Sequence, residues 1–461
     1  MSQNLTTTLS LPSGNLAVPT GLFIHGNFVP SADNAEEALP VVNPYTEEII
    51  TAVVGASAKD IDIAVASARK AFQTTWGKNV LPTERARLLN RLADLIERDK
   101  QILAELESLN SGKPVRFARD GDITDTIACL RYYGRSLAGY ADKVHGKTIE
   151  VNEKAKFMFT KREAIGVCGQ MSWKVAPALA VGCTIVMKPS ENTPLTALIA
   201  FTGSTITGRK ILEASAHSNL KKVTLELGGK SPHLIFESAD LEQAARWAFM
   251  GITWNSGQDC TAGSRVFVQS SIYDKFIKIL LEKAKEFVVG DPFDPQTAAG
   301  PVISKVQYDR VWNYIASGKK EGAKVVLGGE KREGKGFFVD PCIFTDVTSD
   351  MKIFKEEIFG PVLAIAKFDT EEEAIAIANN TTYGLAAGLH STDASQCLRV
   401  ASAFEAGTVW INNYNILSNN VPFGGYKQSG IGRELGEEAL SEYTIVKAVH
   451  WNFGEQLDWP L

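Results

Sequence analysis

Between Ala164 and Leu327 short apolar runs alternate with longer amphipathic ones, and few folds accept that rhythm. Strand-like segments fall at Gly166–Gln170, Thr184–Lys188, Lys222–Leu227, Arg265–Gln269 and Lys324–Leu327. Helical segments separate them, from Thr193, from Asp240, over Ile272–Phe287 and over Tyr308–Glu321. Strands joined by helices need crossover connections and therefore pair in parallel, so the expected fold class is α/β. Asp240, with Gln243 three residues on, is a capping-box analogue that starts a Leu241–Trp254 helix.

Upstream the period is helical. Ile61, Ala64, Val65, Ala68 and Phe72 share a face after Ser57, with Asp60 as a capping partner. Leu88, Leu92, Leu95, Ile96, Leu103 and Leu106 form one run after Pro82-Thr83, stopped by Gly112 and Pro114. A third helical stretch ends near Asp142. Within His145–Arg162 the pairs Ile149/Val151 and Phe157/Phe159 are spaced by two and predict two strands. They read as an oligomerisation arm or equally as a plain surface hairpin. Residues 1–20, rich in Ser, Thr, Pro and Gly, read as a loose lead-in.

The 461 residues allow about three domains at roughly 150 each. With 48 Lys+Arg against 53 Asp+Glu, a net charge of −5 argues against nucleic acid or an anionic membrane as partner. The longest apolar stretch, Val175–Met187, is too short to span a bilayer and contains Pro177 and Gly182. The first Lys or Arg is Lys59, so neither a presequence nor a secretory signal is visible and a cytoplasmic protein is expected. Six cysteines without a C-x-x-C pair suit reduced thiols. Six scattered histidines give a metal site nothing to stand on.

Two glycine motifs are decoys. Gly203-Ser-Thr-Ile-Thr-Gly208-Arg209-Lys210 fails as a phosphate loop because Arg209 separates the second glycine from the lysine, although a turn before a helix still offers N–H groups to a pyrophosphate. Gly430-Ile-Gly432 reads as a surface turn before a helix.

Two other segments carry chemistry. Leu225-Glu226-Leu227-Gly228-Gly229-Lys230-Ser231-Pro232 ends an apolar strand with a carboxylate and a double glycine. Desolvation there raises the proton affinity of Glu226 toward that of a general base, whereas the plain reading is a capping or salt-bridging Glu. Asn255-Ser256-Gly257-Gln258-Asp259-Cys260-Thr261-Ala262-Gly263-Ser264-Arg265 places a cysteine in a glycine-bounded loop. A loop keeps the sulfur reachable and lets its own N–H face an oxyanion. A lone Cys is more often inert, but its pairing with Glu226 shifts that balance.

With these two segments 34 residues apart from Glu226 to Cys260, the chain resembles the NAD(P)-dependent aldehyde dehydrogenase superfamily from about Gly21 to its C-terminus. Lys188-Pro-Ser-Glu191-Asn-Thr-Pro194, Phe201-Thr-Gly-Ser204, Glu356-Glu-Ile-Phe359-Gly-Pro361 and Pro422-Phe-Gly-Gly-Tyr-Lys427 add to the likeness. The resemblance implies a Rossmann-like NAD-binding domain, an α/β catalytic domain and a small β oligomerisation arm. Their expected limits are 14–143 and 164–228 for the nucleotide domain, 144–163 for the arm, 229–436 for the catalytic domain and 437–461 for an oligomerisation tail. The strand-like Ser441–Val449 matches the family's oligomerisation strand, and a homodimer or homotetramer follows.

The same resemblance implies roles. Cys260 attacks the aldehyde to give a thiohemiacetal, hydride leaves to nicotinamide, and Glu226 activates the water that opens the thioester. Lys188 and Glu191 match positions on the adenine ribose, and a carboxylate there favours NAD while leaving NADP possible. Gly203 and Ser204 match the pyrophosphate turn, Glu357 and Gln307 ribose neighbours, and Phe359 the aromatic beside nicotinamide. Trp173, Leu417 and Phe423 match the substrate tunnel and suit an apolar aldehyde.

Two stretches depart from the family. After Gly166-Val-Cys-Gly-Gln170, about ten residues of a P-W-N-F-P loop and helix are missing. They would carry the Asn that shares the oxyanion with the Cys260 N–H, a donor worth on the order of 10²–10³ in rate. After Ala200, roughly forty residues are missing, more than one crossover unit. The nucleotide domain is therefore expected to be truncated, short of a strand and its covering helix and with apolar edges exposed. An impaired or inactive variant, from splicing or a mis-joined gene, is the alternative reading.

Overall fold

The computed structural model describes residues 5–33, 38–135, 146–151, 156–170, 172–195, 203–454 and 456. Where a loose lead-in was expected, the described residues 5–20 form a hairpin. Strands β1 (Thr6–Leu11) and β2 (Gly14–Pro19) pair antiparallel, and Leu9, Leu11 and Val18 are buried with Leu106. The alternation Leu9, Leu11, Leu16, Val18 gives the ribbon one apolar face, which outweighs its Ser/Thr content. Glu105 holds the turn, accepting from the Ser13 N–H (2.9 Å) and hydroxyl (2.6 Å).

Hairpins β3 (Leu22–Ile24)/β4 (Asn27–Val29) and β5 (Leu39–Val42)/β6 (Ile49–Val53) lead to α1 (Ala58–Thr74). The Ser57/Asp60 capping box closes in both directions, and Asp60 also accepts from the Ser31 hydroxyl and the Ala32 N–H. The single run expected through Leu106 is divided into α2 (Pro82–Arg98) and α3 (Lys100–Ser111). Asp99, at φ −97° and ψ 12°, leaves helical geometry between them, a local break that apolar spacing does not reveal. Gly112, left-handed at φ 76°, stops α3 as expected. Helix α4 (Thr124–Tyr133) follows; the expected end near Asp142, and His145, lie outside the described residues.

Strands β7 (Thr148–Ile149) and β8 (Lys156–Ala164) pair antiparallel, as the period-two pairs require. Next come β9 (Val167–Gln170), α5 (Val175–Val181) and β10 (Thr184–Met187), with β9 and β10 parallel. Among the described residues this sheet has two strands. The helix expected from Thr193 runs into residues outside the described set. Helix α6 (Thr205–His217) then presents Ile206, Ile211 and Leu212 to solvent, 69%, 46% and 39% exposed. An uncovered apolar face is what the loss of a crossover produces.

After β11 (Leu225–Glu226), seven strands form the main sheet: β12 (Pro232–Ile235), β13 (Arg265–Gln269), β14 (Lys324–Leu327), β15 (Cys342–Thr345), β16 (Val362–Phe368), β17 (Ala386–His390) and β18 (Thr408–Ile411). Their order is β14-β15-β16-β13-β12-β17-β18, parallel except for the β14 edge. Adjacent residues point to opposite faces and both faces are apolar. Leu234, Phe267 and Phe344 pack with Val311 and Ile315 of α9 (Lys305–Lys320), whereas Ile235, Val266 and Ile343 pack with Ala248 of α7 (Leu241–Thr253) and Phe276 of α8 (Tyr273–Ala284).

Two late strands return to the first half of the chain. Gly430–Ile431, expected as a surface turn, is strand β19 and pairs antiparallel with β11. Strand β20 (Thr444–Asn452) pairs antiparallel along β8, giving the sheet β20-β8-β7. Among the described residues no helix is long and apolar enough to cross a membrane.

Candidate active site

The carboxylate of Glu226 sits at the end of the two-residue strand β11, with Leu227 and then the double glycine after it. Those glycines are demanded by what lies against them. A Cβ on Gly229 would stand 2.1 Å from the Cys260 carbonyl oxygen, and one on Gly228 would stand 2.4 Å from Glu357 Oε2. The Gly229 N–H donates to Glu357 Oε1 at 3.1 Å. One five-residue stretch thus brings Glu226, Cys260 and Glu357 together.

Glu226 is 5% exposed, and its Oε2 has no hydrogen-bond partner among the described residues. Burial pushes its carboxyl up to about 8, against the pull of Lys174 and Arg433 and with the push of Glu442. Lys174, itself lowered by burial, is ion-paired with Glu434. The first of these neighbours follows Trp173 as a lone lysine ahead of an apolar run, which is the one signal the sequence offered. Arg433, Glu434 and Glu442 stand in a charged stretch that gives none.

Cys260 occupies a turn closed by the Ala262 N–H on the Asp259 carbonyl (3.1 Å). Asn255, Ser256 and Gly257 enter it left-handed, at φ 51°, 56° and 71°. Gly257 must be glycine, since a Cβ would lie 2.2 Å from the Gly360 carbonyl carbon. The thiol is half-buried at the edge of an apolar cluster that also holds Trp173, Leu417 and Phe423, and the Trp173 and Phe423 rings meet edge-on at 5.8 Å. Burial, then Asp259, Glu357 and Glu226, push the thiol well above its usual range. All three substrate-wall candidates therefore belong to the apolar cluster that the sulfur borders.

The cofactor candidates fall into two groups. Near the cluster, burial raises the Glu357 carboxyl, with the Gly229 N–H, Arg310 and Lys230 opposing. Phe359 is half-buried at φ 59°, and Gln307 Nε2 donates to the carbonyls of Phe359 (2.6 Å) and Ile358 (3.2 Å). The Gln307 amide nitrogen is thus engaged with the Phe359 backbone. Farther out, Lys188 and Glu191 are exposed after β10 and bonded to each other at 2.9 Å. Gly203 and Ser204 lead into α6, where the Ser204 hydroxyl caps the Thr207 N–H. Among the described residues no hydrogen bond or ion pair joins these four to Glu226 or Cys260.

The profile of the aldehyde dehydrogenase family matches residues 28–200 and 196–449. The chain belongs to the aldehyde dehydrogenase family. An aldehyde dehydrogenase of Aspergillus niger is 48% identical, with 98% of this chain and 99% of the relative aligned. Mouse retinal dehydrogenase 2 is 46% identical over 96% of this chain and 93% of its own length. The solved NAD+ complex of the Bacillus cereus aldehyde dehydrogenase superposes with a TM-score of 0.90 at 44% identity, covering 94% of this chain and 97% of that one. Aldehyde oxidation with a nicotinamide dinucleotide is the activity of the family, and nothing in these likenesses favours an impaired form.

The aldehyde dehydrogenase match also bears on the missing stretches. The A. niger alignment spans 503 positions while using 98% of 461 residues, so about 50 positions hold a residue of the relative alone. The family profile breaks into two pieces at 196–200, where the larger loss was expected.

Proposed function

We propose that this chain oxidises an apolar aldehyde to its carboxylic acid with NAD, Cys260 attacking and Glu226 serving as base. The observation that carries the reading is the packing of Gly229 on the Cys260 carbonyl, which sets the Glu226 strand against the nucleophile's turn. The Cys260 thiol rests protonated, so attack needs a nearby acceptor, and Glu226 is the buried carboxylate beside it. The sulfur adds to the carbonyl carbon, and the Cys260 N–H faces the resulting oxyanion. NAD supplies the hydride acceptor that turns the thiohemiacetal into a thioester. Glu226 first gives up the proton it took from Cys260, then takes one from water, whose oxygen opens the thioester, and returns that proton to the departing sulfur, freeing the acid and the thiol. Lys174, paired with Glu434, is the cation whose field favours the ionised form of Glu226.

The residues present suit the dinucleotide. Glu357, a carboxylate desolvated against two glycines, accepts from the nicotinamide ribose, with Phe359 and Gln307 alongside. Glu191 accepts from both adenine ribose hydroxyls, which favours NAD over NADP, and Lys188 opens from it to join them. Gly203 and Ser204, at the α6 N-terminus, receive the pyrophosphate. The finer reading retains the domain limits 14–143, 144–163, 164–228, 229–436 and 437–461. It also includes a cytoplasmic homodimer or homotetramer formed through β20, supported by six free cysteines and by exposed Ile445, Val446 and Trp451. Formation of NADH with a simple apolar aldehyde tests the whole. Cys260→Ser should abolish it, and turnover persisting in that variant removes Cys260 from the mechanism.

A further inference from the structure

After β18 the chain bends through two left-handed residues, Asn412 (φ 57°) and Asn415 (φ 59°). The bend carries Tyr414 inward, where its side chain is fully buried. The ring stacks on His233 with centroids 4.5 Å apart and 24° between planes, and meets Trp410 at 5.0 Å. Gly251, Gly263 and Gly388 close on it from the sides. A Cβ at those positions would come within 2.8, 3.1 and 2.5 Å of its atoms. A ring gripped by backbone has one orientation, and that aims its hydroxyl at a fixed target.

That target is the carbonyl of Thr261, which accepts the Tyr414 O–H at 2.8 Å. Burial pushes the phenol well above its usual range, so the donor is present at any working pH. Thr261 is the residue after Cys260, and the two form the middle of the turn that Asp259 and Ala262 close. Asn415 fastens the other side. Its Nδ2 donates to Asp259 Oδ2 at 2.5 Å, and the Thr261 hydroxyl faces Asn415 Oδ1 (2.6 Å) and Asp259 Oδ1 (2.9 Å). Both residues flanking the nucleophile are therefore tied to the 412–415 bend. The Asp259 charge opposes a thiolate, being one of those that push the Cys260 thiol up, so its contribution lies in this bonding.

We infer that Tyr414 and Asn415 are positioning residues for the reaction, setting the aim of the Cys260 thiol and N–H through Thr261 and Asp259. The inference rests on the reading of Cys260 as nucleophile. A turn held on both sides keeps the sulfur on its attack line, and small misplacements there cost rate steeply.

Tyr414→Phe keeps the ring and removes the donor. Asn415→Gly keeps the left-handed backbone and removes the side chain. In the full-length chain the readouts are the rate of Cys260 alkylation by iodoacetamide, mapped by peptide mass across roughly pH 6 to 9, and kcat with KM for NAD and aldehyde. Each variant is expected to slow both alkylation and kcat about tenfold while KM for NAD stays within about twofold. Alkylation and kcat within about twofold of the parent in both variants, whatever the change in melting temperature, would overturn the inference. If Tyr414→Phe fails to fold, Asn415→Gly decides by the same two rates. Alkylation of the parent at some other cysteine, with Cys260 untouched, would instead strike the nucleophile assignment and the inference with it.

Discussion

A carboxylate such as Glu226 is legible as a candidate from its place before two glycines, but its proton affinity is not. Burial raises it to about 8 against Lys174 and Arg433, which come from other segments. Below that value the reactive carboxylate falls about tenfold per pH unit. Thioester hydrolysis should therefore climb with pH and level off above about 8, as read by steady-state NADH formation with deacylation rate-limiting. Glu226→Gln should abolish that limb and slow the NADH burst as well, since the same carboxylate takes the Cys260 proton. The stability sign follows from the same shift. A carboxyl raised in the folded state favours folding fully below its ordinary value of 4.5, and that contribution is lost as pH rises through about 8. Thermal melts should show the parent losing ground to Glu226→Gln across that interval.

At the scale of elements, the contact that matters is strand-end against turn. Gly229→Ala would set a methyl 2.1 Å from the Cys260 carbonyl oxygen, and neither partner is a flexible side chain. The turn must shift, costing about 1–3 kcal/mol of stability and on the order of 10²-fold in kcat. Gly169→Ala in β9 is the control: its Cβ meets nothing within 4 Å, so activity and melting temperature should stay close to the parent. Measuring both variants separates a general intolerance of alanine from the specific crowding at Cys260. Local signals served well where an element is self-contained, as with the Ser57/Asp60 box or Arg265–Gln269. They failed where the partner is remote. The 6–19 hairpin needs α3 to give its apolar face a purpose, and Gly430–Ile431 becomes a strand because β11 lies beside it.

The whole molecule is unevenly built. Seven strands packed on both faces form one half's core, whereas the sheet of β9 and β10 has two strands among the described residues, with α6 burying little besides Gly208 and Ser215. Regions with few buried apolar contacts open at low free energy. Native-state hydrogen exchange should therefore find amides of α6, β9 and β10 exchanging well before those of β13 and β16. Equal protection across the two would mean that the shortened half is covered by something beyond the described chain.

Spacing alone determined the α/β rhythm, the cap positions and the two segments that carry Cys260 and Glu226, because each depends on neighbours within a few residues. The likeness to aldehyde dehydrogenases rested on those same short runs. Tertiary structure alone decided that Lys174, Arg433 and Glu442 set the charge around Glu226, and that Tyr414 and Asn415 bind the turn around Cys260. The reason is that burial and field at a point sum over every segment reaching it, and the order of residues does not say which segments those are.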